Sequence, residues 1–162
     1  MHEKSMSRSA RRVQDALIAA GTRLKVTELP GSTRTAEDAA ATLGCDVAQI
    51  AKTLVFRATP GENAVIAVVS GINQVDTKRL ASLHGQKLKR ADADFVRDQT
   101  GFAIGGVAPV GLTHALPIYL DEDLMGLSCL FAAAGTPNSV FELEPDELRQ
   151  ITGGRVVELK KS

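Results

Sequence analysis

The chain has 162 residues, a length that suits one domain with a real core, and 44% of them are hydrophobic against only 4% aromatic. Its 19 Lys and Arg offset its 19 Asp and Glu, so there is no global field demanding an anionic partner. Cys45 and Cys129 have neither Cys-x-x-Cys spacing nor a histidine cluster nearby, which argues against zinc and against a disulfide framework, and for a reducing intracellular compartment.

Residues 1–10 read as a flexible N-terminus, polar and charged, without the apolar run of a signal peptide. The single domain is expected over 11–162. It opens with Val13, Ala16, Leu17 and Ala20, whose spacing predicts a helix with one apolar face, closed by Gly21. Leu24 to Leu29 reads as a strand ended by Pro30-Gly31. Thr35 and Asp38 stand three apart, as in a capping box, ahead of a helix through Ala39, Ala40 and Leu43 that Gly44 ends. Asp46 and Gln49 repeat that spacing for a single turn. Ala51 to Ala58 and Ala64 to Ser70 form a hairpin across Thr59-Pro60-Gly61-Glu62-Asn63. The near-continuous apolar run Val65, Ile66, Val68, Val69 predicts a second strand buried on both faces.

Asp76 or Thr77 caps the next predicted helix, which carries Leu80 and Leu83 and ends at Gly85. Leu88 to Ala91 is a short strand and Asp92 to Thr100 a short helix. Basic residues gather here, from Lys78 to Arg97, while Asp121 to Glu147 holds no Lys or Arg; both stretches suit solvated faces, and the basic one also suits a local polyanion contact. After the segment from Thr100 to Gly111 come strands at Leu116–Leu120, Leu127–Ala133 and Val140–Leu143. Pro145 opens a helix through Ile151 that Gly153-Gly154 closes, and Val156–Leu159 is the last strand. Hairpins and helices alternate without a regular β-α-β order. That predicts an α/β (α+β) fold with a single mixed, largely antiparallel sheet and flanking helices, not a doubly wound dehydrogenase sheet. No stretch is long and apolar enough to span a membrane.

Two places are candidates for chemistry. In Thr100-Gly101-Phe102-Ala103-Ile104-Gly105-Gly106-Val107-Ala108-Pro109-Val110-Gly111, glycines and a proline sit among small apolar residues. This is a shaped loop, either a tight connection or the wall of a binding site. It is not a P-loop, since no lysine follows the glycines, and it is not a dinucleotide fingerprint, since Gly101 falls where a helix ends. The second is Lys52. Strand alternation puts it on one face with Leu54 and Phe56, and Thr53, Val55 and Arg57 on the other. It is either a strand-end lysine reaching water or an ammonium at the rim of an apolar pocket, aimed at a carbonyl or phosphate. No Ser/His/Asp arrangement is evident.

Three stretches carry a resemblance. They are Thr35-Ala36-Glu37-Asp38-Ala39-Ala40 with Ile50-Ala51-Lys52-Thr53-Leu54-Val55-Phe56; Thr100-Gly101-Phe102 with Gly105-Gly106-Val107-Ala108-Pro109-Val110-Gly111; and Gly135 with Val140-Phe141-Glu142-Leu143 and Pro145. In order and spacing, nearly the whole chain from Val13 resembles the YbaK/prolyl-tRNA-editing (aminoacyl-tRNA deacylase) family. The resemblance implies a mixed α/β fold and a cytoplasmic trans-editing hydrolase that cleaves the ester of mischarged aminoacyl-tRNA, typically tRNA for proline. It implies Lys52 as the catalytic residue. It implies Thr35, Thr53, Gly105, Gly106, Pro109, Gly111 and Gly135 around the substrate, and His114 in an orienting or structural role. No cofactor and no metal are required. Partners would be the acceptor end of aminoacyl-tRNA and a prolyl-tRNA synthetase, with the protein a monomer or weak dimer.

An aminoacyl ester is already activated, so the enzyme need only place water and stabilise an oxyanion, a task that suits rigid backbone N–H groups. In cysteine-specific YbaK members the loop matching 133–138 carries a serine, an extra glycine and basic residues; here it reads Ala-Ala-Gly-Thr-Pro-Asn. The expected amino acid is therefore alanine, with serine, threonine or a non-protein amino acid as alternatives. A non-catalytic tRNA- or synthetase-binding module of the same fold, and an unrelated small-molecule binder in which the glycine loop is only a turn, are the competing functions.

Overall fold

The computed structural model describes residues 6–162. Helix α1 (Arg8–Ala19) starts earlier than its apolar periodicity marks, because the Ser7 hydroxyl accepts from the Ala10 N–H at 3.1 Å and caps it. Residues 8–10, expected within a flexible N-terminus, are thus its first turn, and Ala10 is fully buried; residues 1–5 of that segment lie outside the described residues. Strand β1 (Val26–Glu28) is shorter than Leu24 to Leu29. The Gln14 amide explains the late start: it donates to the Leu24 carbonyl at 3.0 Å and accepts from the Val26 N–H at 2.9 Å, taking backbone groups a strand would have used.

Helix α2 (Ala36–Leu43) is capped by Thr35, whose hydroxyl accepts from the Asp38 N–H at 3.1 Å, and it ends at Gly44. A single 3₁₀ turn at Val47–Gln49 follows, then β2 (Ile50–Thr59) and β3 (Ala64–Ser70). Asp76, not Thr77, caps α3 (Thr77–His84). Strand β4 (Lys87–Arg90) and α4 (Ala93–Thr100) lead to the glycine loop. Strand β5 (Ile118–Asp121) begins two residues later than expected: Pro117 has no N–H to give a ladder, although its carbonyl accepts from Ile66 at 2.9 Å. A 3₁₀ turn (Glu122–Gly126), β6 (Leu130–Ala133), β7 (Ser139–Leu143), α5 (Pro145–Thr152) and β8 (Arg155–Val157) complete the order. Leu159, expected in the last strand, instead accepts from the Asp76 N–H at 2.7 Å, so the C-terminal tail is tied to the segment before α3.

The strands form one eight-stranded sheet in the order β1-β7-β6-β2-β3-β5-β8, with β4 also on β2. Pairs β1/β7, β2/β3, β2/β4 and β6/β7 are antiparallel, while β2/β6, β3/β5 and β5/β8 are parallel. This is the mixed sheet the element order predicts. Every residue of β3 is buried because both faces are covered. On one side Ile66 and Val68 join Val13, Leu17, Phe102 and Leu148. On the other, Val65, Ala67 and Val69 pack with Phe56, Leu80, Tyr119 and Leu159. Helix α2 has its own small cluster, Ala36, Ala39 and Ala40 against Ile50 and Phe131.

Candidate active site

Strand β2 outruns its neighbours. Along the edge away from β3, β6 pairs only with Ile50 and Ala51, and β4 pairs with Phe56 through Thr59. Among the described residues no strand lies against 52–55 on that edge. The Ile50 carbonyl accepts from Gly71, and the Ala58 N–H donates to Asn63, both on the β3 side. Alternation along an antiparallel ladder then turns the peptide groups of Thr53 and Val55 toward the opening. A cleft of about 730 Å³ occupies it. Its walls include Val55, Val96, Val107 and Val140, and among the described residues it is also lined by Lys52, Arg34 and Arg90 against one carboxylate, Glu37. A cavity of mostly apolar walls with a few convergent polar groups is the form small-ligand sites take, and its cations favour an anionic or strongly polar ligand.

Lys52 lies on the face with Leu54 and Phe56, as alternation requires; Leu54 packs into the cluster that holds Phe56. Its ammonium donates to the Asn73 carbonyl at 2.9 Å. Among the described residues no carboxylate lies within ion-pair distance of it. An ammonium has three donors, so two remain for whatever enters the cleft. Beneath it the Asn73 amide donates to Asp121 at 2.8 Å and to Asp123 at 2.9 Å. Asp121 is fully buried and also accepts from the Ser70 and Asp123 N–H groups. The Asn73 hydrogen bond holds the Asp123 carboxyl below its ordinary value, with Lys160 at 3.3 Å adding to this against a smaller opposing effect of burial. Thr53, one residue on and facing the other way, has a buried hydroxyl with no hydrogen-bond partner. An orphaned hydroxyl costs stability.

The glycine loop contributes less of the cleft than its sequence suggests. Gly105 lines it, beside the Arg34 side chain. Gly106 does not: it is buried behind the wall, and a Cβ there would stand 2.9 Å from the Thr136 nitrogen and 3.0 Å from the Gly135 carbonyl carbon. Its lack of a side chain serves a backbone-to-backbone approach. Gly135 in turn packs on the Ser9 backbone of α1. Pro109, Gly111 and His114 line a separate, smaller hollow of about 300 Å³ with Ala16 and Ile151. The His114 Nδ1 lies 3.1 Å from the Gln99 carbonyl and 3.1 Å from the Thr113 hydroxyl. Of the residues expected around the substrate, the structure brings together Lys52, Thr35, Thr53 and Gly105, and places Gly106, Pro109, Gly111, Gly135 and His114 elsewhere.

What shapes the loop is a residue the sequence did not single out. Arg12 on α1 donates from Nε to the Gly111 carbonyl at 2.7 Å and from Nη2 to the Thr100 carbonyl at 3.1 Å, and its guanidinium lies 4.2 Å from the Phe102 ring centre. It joins the two ends of the loop. Burial lowers its pKa from the ordinary arginine value. No signal in a single sequence marks one arginine of an amphipathic helix for such a task. Arg34 was likewise missed, since it belongs to no motif, and Arg90 was marked only as part of the basic stretch from Lys78 to Arg97.

Neither cysteine lines the cleft, and burial first, then Asp46 and Cys129, push the Cys45 thiol up, away from the nucleophilic thiolate. Among the described residues no group of three or more His, Cys, Asp and Glu is arranged to hold a metal, and no helix is long and apolar enough to cross a membrane.

The chain is similar to known proteins in both sequence and fold. Residues 31–151 match the model of the aminoacyl-tRNA editing domain, and the chain belongs to that family. It is 38% identical over 131 residues to the uncharacterized protein YwhH of Bacillus subtilis (strain 168), covering 81% of this chain and 83% of that one. It is 32% identical over 127 residues to a protein of Enterococcus faecalis (strain ATCC 700802 / V583) named "Putative Cys-tRNA(Pro)/Cys-tRNA(Cys) deacylase EbsC", covering 76% of each. Among solved structures, one described as a "putative trans-editing enzyme for prolyl tRNA synthetase" superposes with a TM-score of 0.92 at 49% identity, over 98% of this chain and all of the other.

Proposed function

We propose that this protein is a trans-editing deacylase that hydrolyses the ester of mischarged aminoacyl-tRNA, with alanine on tRNA for proline as its first substrate. The observation that carries the reading is Lys52: an ammonium with no carboxylate partner among the described residues, held by one carbonyl at 2.9 Å at the mouth of a cleft with valine walls. In this reading two Lys52 donors engage the ester carbonyl or the phosphate of the terminal nucleotide. Arg34 and Arg90 meet the phosphates beyond, and Val55, Val96 and Val107 surround a small side chain. The unpaired peptide edge at Thr53 and Val55 supplies hydrogen bonds to the aminoacyl group. The ester needs no strong nucleophile: water attacks, the developing oxyanion is met by donors already in place, and the terminal ribose oxygen leaves.

Apolar walls discriminate by only about 1–3 kcal/mol per methylene, so proline is refused by steric exclusion. The partners are the acceptor end of aminoacyl-tRNA and a prolyl-tRNA synthetase, the working state a monomer or weak dimer, and the compartment the cytoplasm.

One feature favours the alternative, a tRNA- or synthetase-binding module without turnover: among the described residues Glu37 is the only carboxylate that lines the cleft and no histidine does. A deacylation panel separates the two. Purified protein meets tRNA for proline charged with alanine, cysteine, serine, threonine or proline, with and without the synthetase. Fast loss of the alanyl species with prolyl-tRNA spared is the expected result. Decay of all five at the buffer rate, even with synthetase present, supports the binding module.

A further inference from the structure

We propose that Asn73, with Asp121 and Asp123 behind it, positions Lys52 for turnover; this rests on the reading of Lys52 just given. None of the three lines the cleft, and among the cleft-lining side chains Lys52 is the one hydrogen-bonded to Asn73. Lys52 carries a compact charge on a flexible four-carbon stem, and its only hydrogen-bond partner among the described residues is the Asn73 carbonyl. The position of that carbonyl is therefore the position of the ammonium.

The turn that presents the carbonyl is fixed from below. One oxygen of Asp121, Oδ2, accepts both from the Ser70 N–H at 3.1 Å, where the turn begins, and from the Asn73 side chain at 2.8 Å, where it ends. The Asn73 N–H closes the turn onto the Ser70 carbonyl at 2.9 Å, and the Ser70 hydroxyl donates to the Ala48 carbonyl at 2.7 Å. The Asn73 amide has a single workable orientation. Both of its N–H groups meet carboxylates, and the flipped amide would set its oxygen against two of them. Asp123 is itself anchored by Lys160 on the C-terminal tail. The charged groups around Asn73 are thus Lys52, Asp121, Asp123 and Lys160, and two cations balance two anions with the neutral amide between them. The arrangement needs an amide at position 73: a carboxylate of the same shape would place a third negative charge against the other two.

The test is steady-state deacylation by the intact protein, with thermal unfolding of each variant at each pH. Lys52→Ala is the control for the underlying reading. Asn73→Ala is expected to lower kcat by about 10- to 100-fold with KM within about twofold, the cost of a catalytic group displaced by an ångström or less. Asn73→Asp is expected to be as slow at neutral pH. It should recover several-fold relative to wild type near about pH 5, as the new carboxyl takes up a proton and can donate to Asp121. A merely structural role would not move that ratio while the unfolding temperatures stay parallel.

If Lys52→Ala is inactive but both Asn73 variants keep wild-type kcat, the positioning role is overturned and the Lys52 reading stands. If Lys52→Ala is itself active, the reading of Lys52 fails. Should the Asn73 variants not fold, Asp123→Asn, at the solvent-facing end of the network, decides: an unchanged kcat overturns the proposal, and a fall of about threefold or more at constant KM supports it.

Discussion

Lys52 and Arg12 are both cations, both half-buried, both held by backbone carbonyls and neither within ion-pair distance of a carboxylate among the described residues. Their surroundings make them opposites. Arg12 spends its planar fork on two carbonyls, at Thr100 and Gly111, and lays its face on Phe102. Its interactions are within the protein, and they hold a loop that has no regular structure of its own. Lys52 spends one donor on Asn73 and turns the rest toward a cleft left by the sheet itself. A half-buried cation is a structural clamp when its donors are consumed and a site when they are left over. Which one it is depends on whether open space lies in front of it.

The sharpest way to break this contrast is to remove each cation in turn. Lys52→Ala is expected to reduce deacylation by about 100- to 1,000-fold, the scale of losing one preorganised donor to a developing oxyanion. Its unfolding free energy should stay within about 0.5 kcal/mol of wild type, as for most substitutions outside the packed core. Kinetics and a urea titration on the same preparation check both halves. Arg12→Met is expected to do the reverse. Losing charged hydrogen bonds to two carbonyls and the contact with Phe102 should cost about 2–4 kcal/mol, read from the denaturation midpoint. Arg12→Lys should recover little of it, because an ammonium cannot reproduce the two-pronged geometry. An Arg12 variant with full stability but no activity would merge the two roles and end the comparison.

How much of this was legible in the sequence follows the same division. Local chemistry was. Thr35 and the residue pair Asp46/Gln49 act at helix and turn starts as their spacing indicates, Asp76 is one of the two caps offered for its helix, and the apolar run of β3 is buried throughout. Alternation alone put Lys52 with Leu54 and Phe56. What was not legible depends on contacts between distant parts of the chain. The opening in the sheet exists because β6 stops at one register on β2 and β4 starts at another, and neither end is written in β2. Arg12 meets residues 88 and 99 positions away. Strand ends were misplaced where a side chain or a proline diverted backbone bonds, as Gln14 does at Leu24 and Val26. A run of glycines announces a shaped loop but not which glycine lines the cleft: Gly105 does, and Gly106 faces Thr136.

That last distinction gives a smaller test. The space a side chain at Gly106 would enter belongs to the 135–136 backbone. Gly106→Ala should therefore destabilise by about 1–3 kcal/mol through overpacking, with loss of activity that does not depend on the size of the amino acid on the tRNA. Gly105 has a positive φ of 94° and its Cβ would meet the flexible Arg34 side chain at 3.1 Å. Gly105→Ala should show a milder loss of stability together with poorer tolerance of larger aminoacyl groups. A size-dependent loss in the Gly106 variant would return it to the cleft wall.

The smallest effects are expected at the rim. Arg34 and Arg90 are exposed, and neither is in an ion pair among the described residues, so removing them should leave stability nearly unchanged. If they meet phosphates of the acceptor end, each contributes counterion release. Arg34→Ala and Arg90→Ala should then each flatten the dependence of log KM on log salt by about 0.7, the single-strand value per phosphate contact, while kcat holds. With no net charge on the chain, these local cations and Lys52 must supply the electrostatic attraction at the cleft. A slope unchanged in both variants would move the tRNA contact to another surface, with the other cations of the basic stretch, Lys78, Arg79, Lys87, Lys89 and Arg97, as the next to mutate.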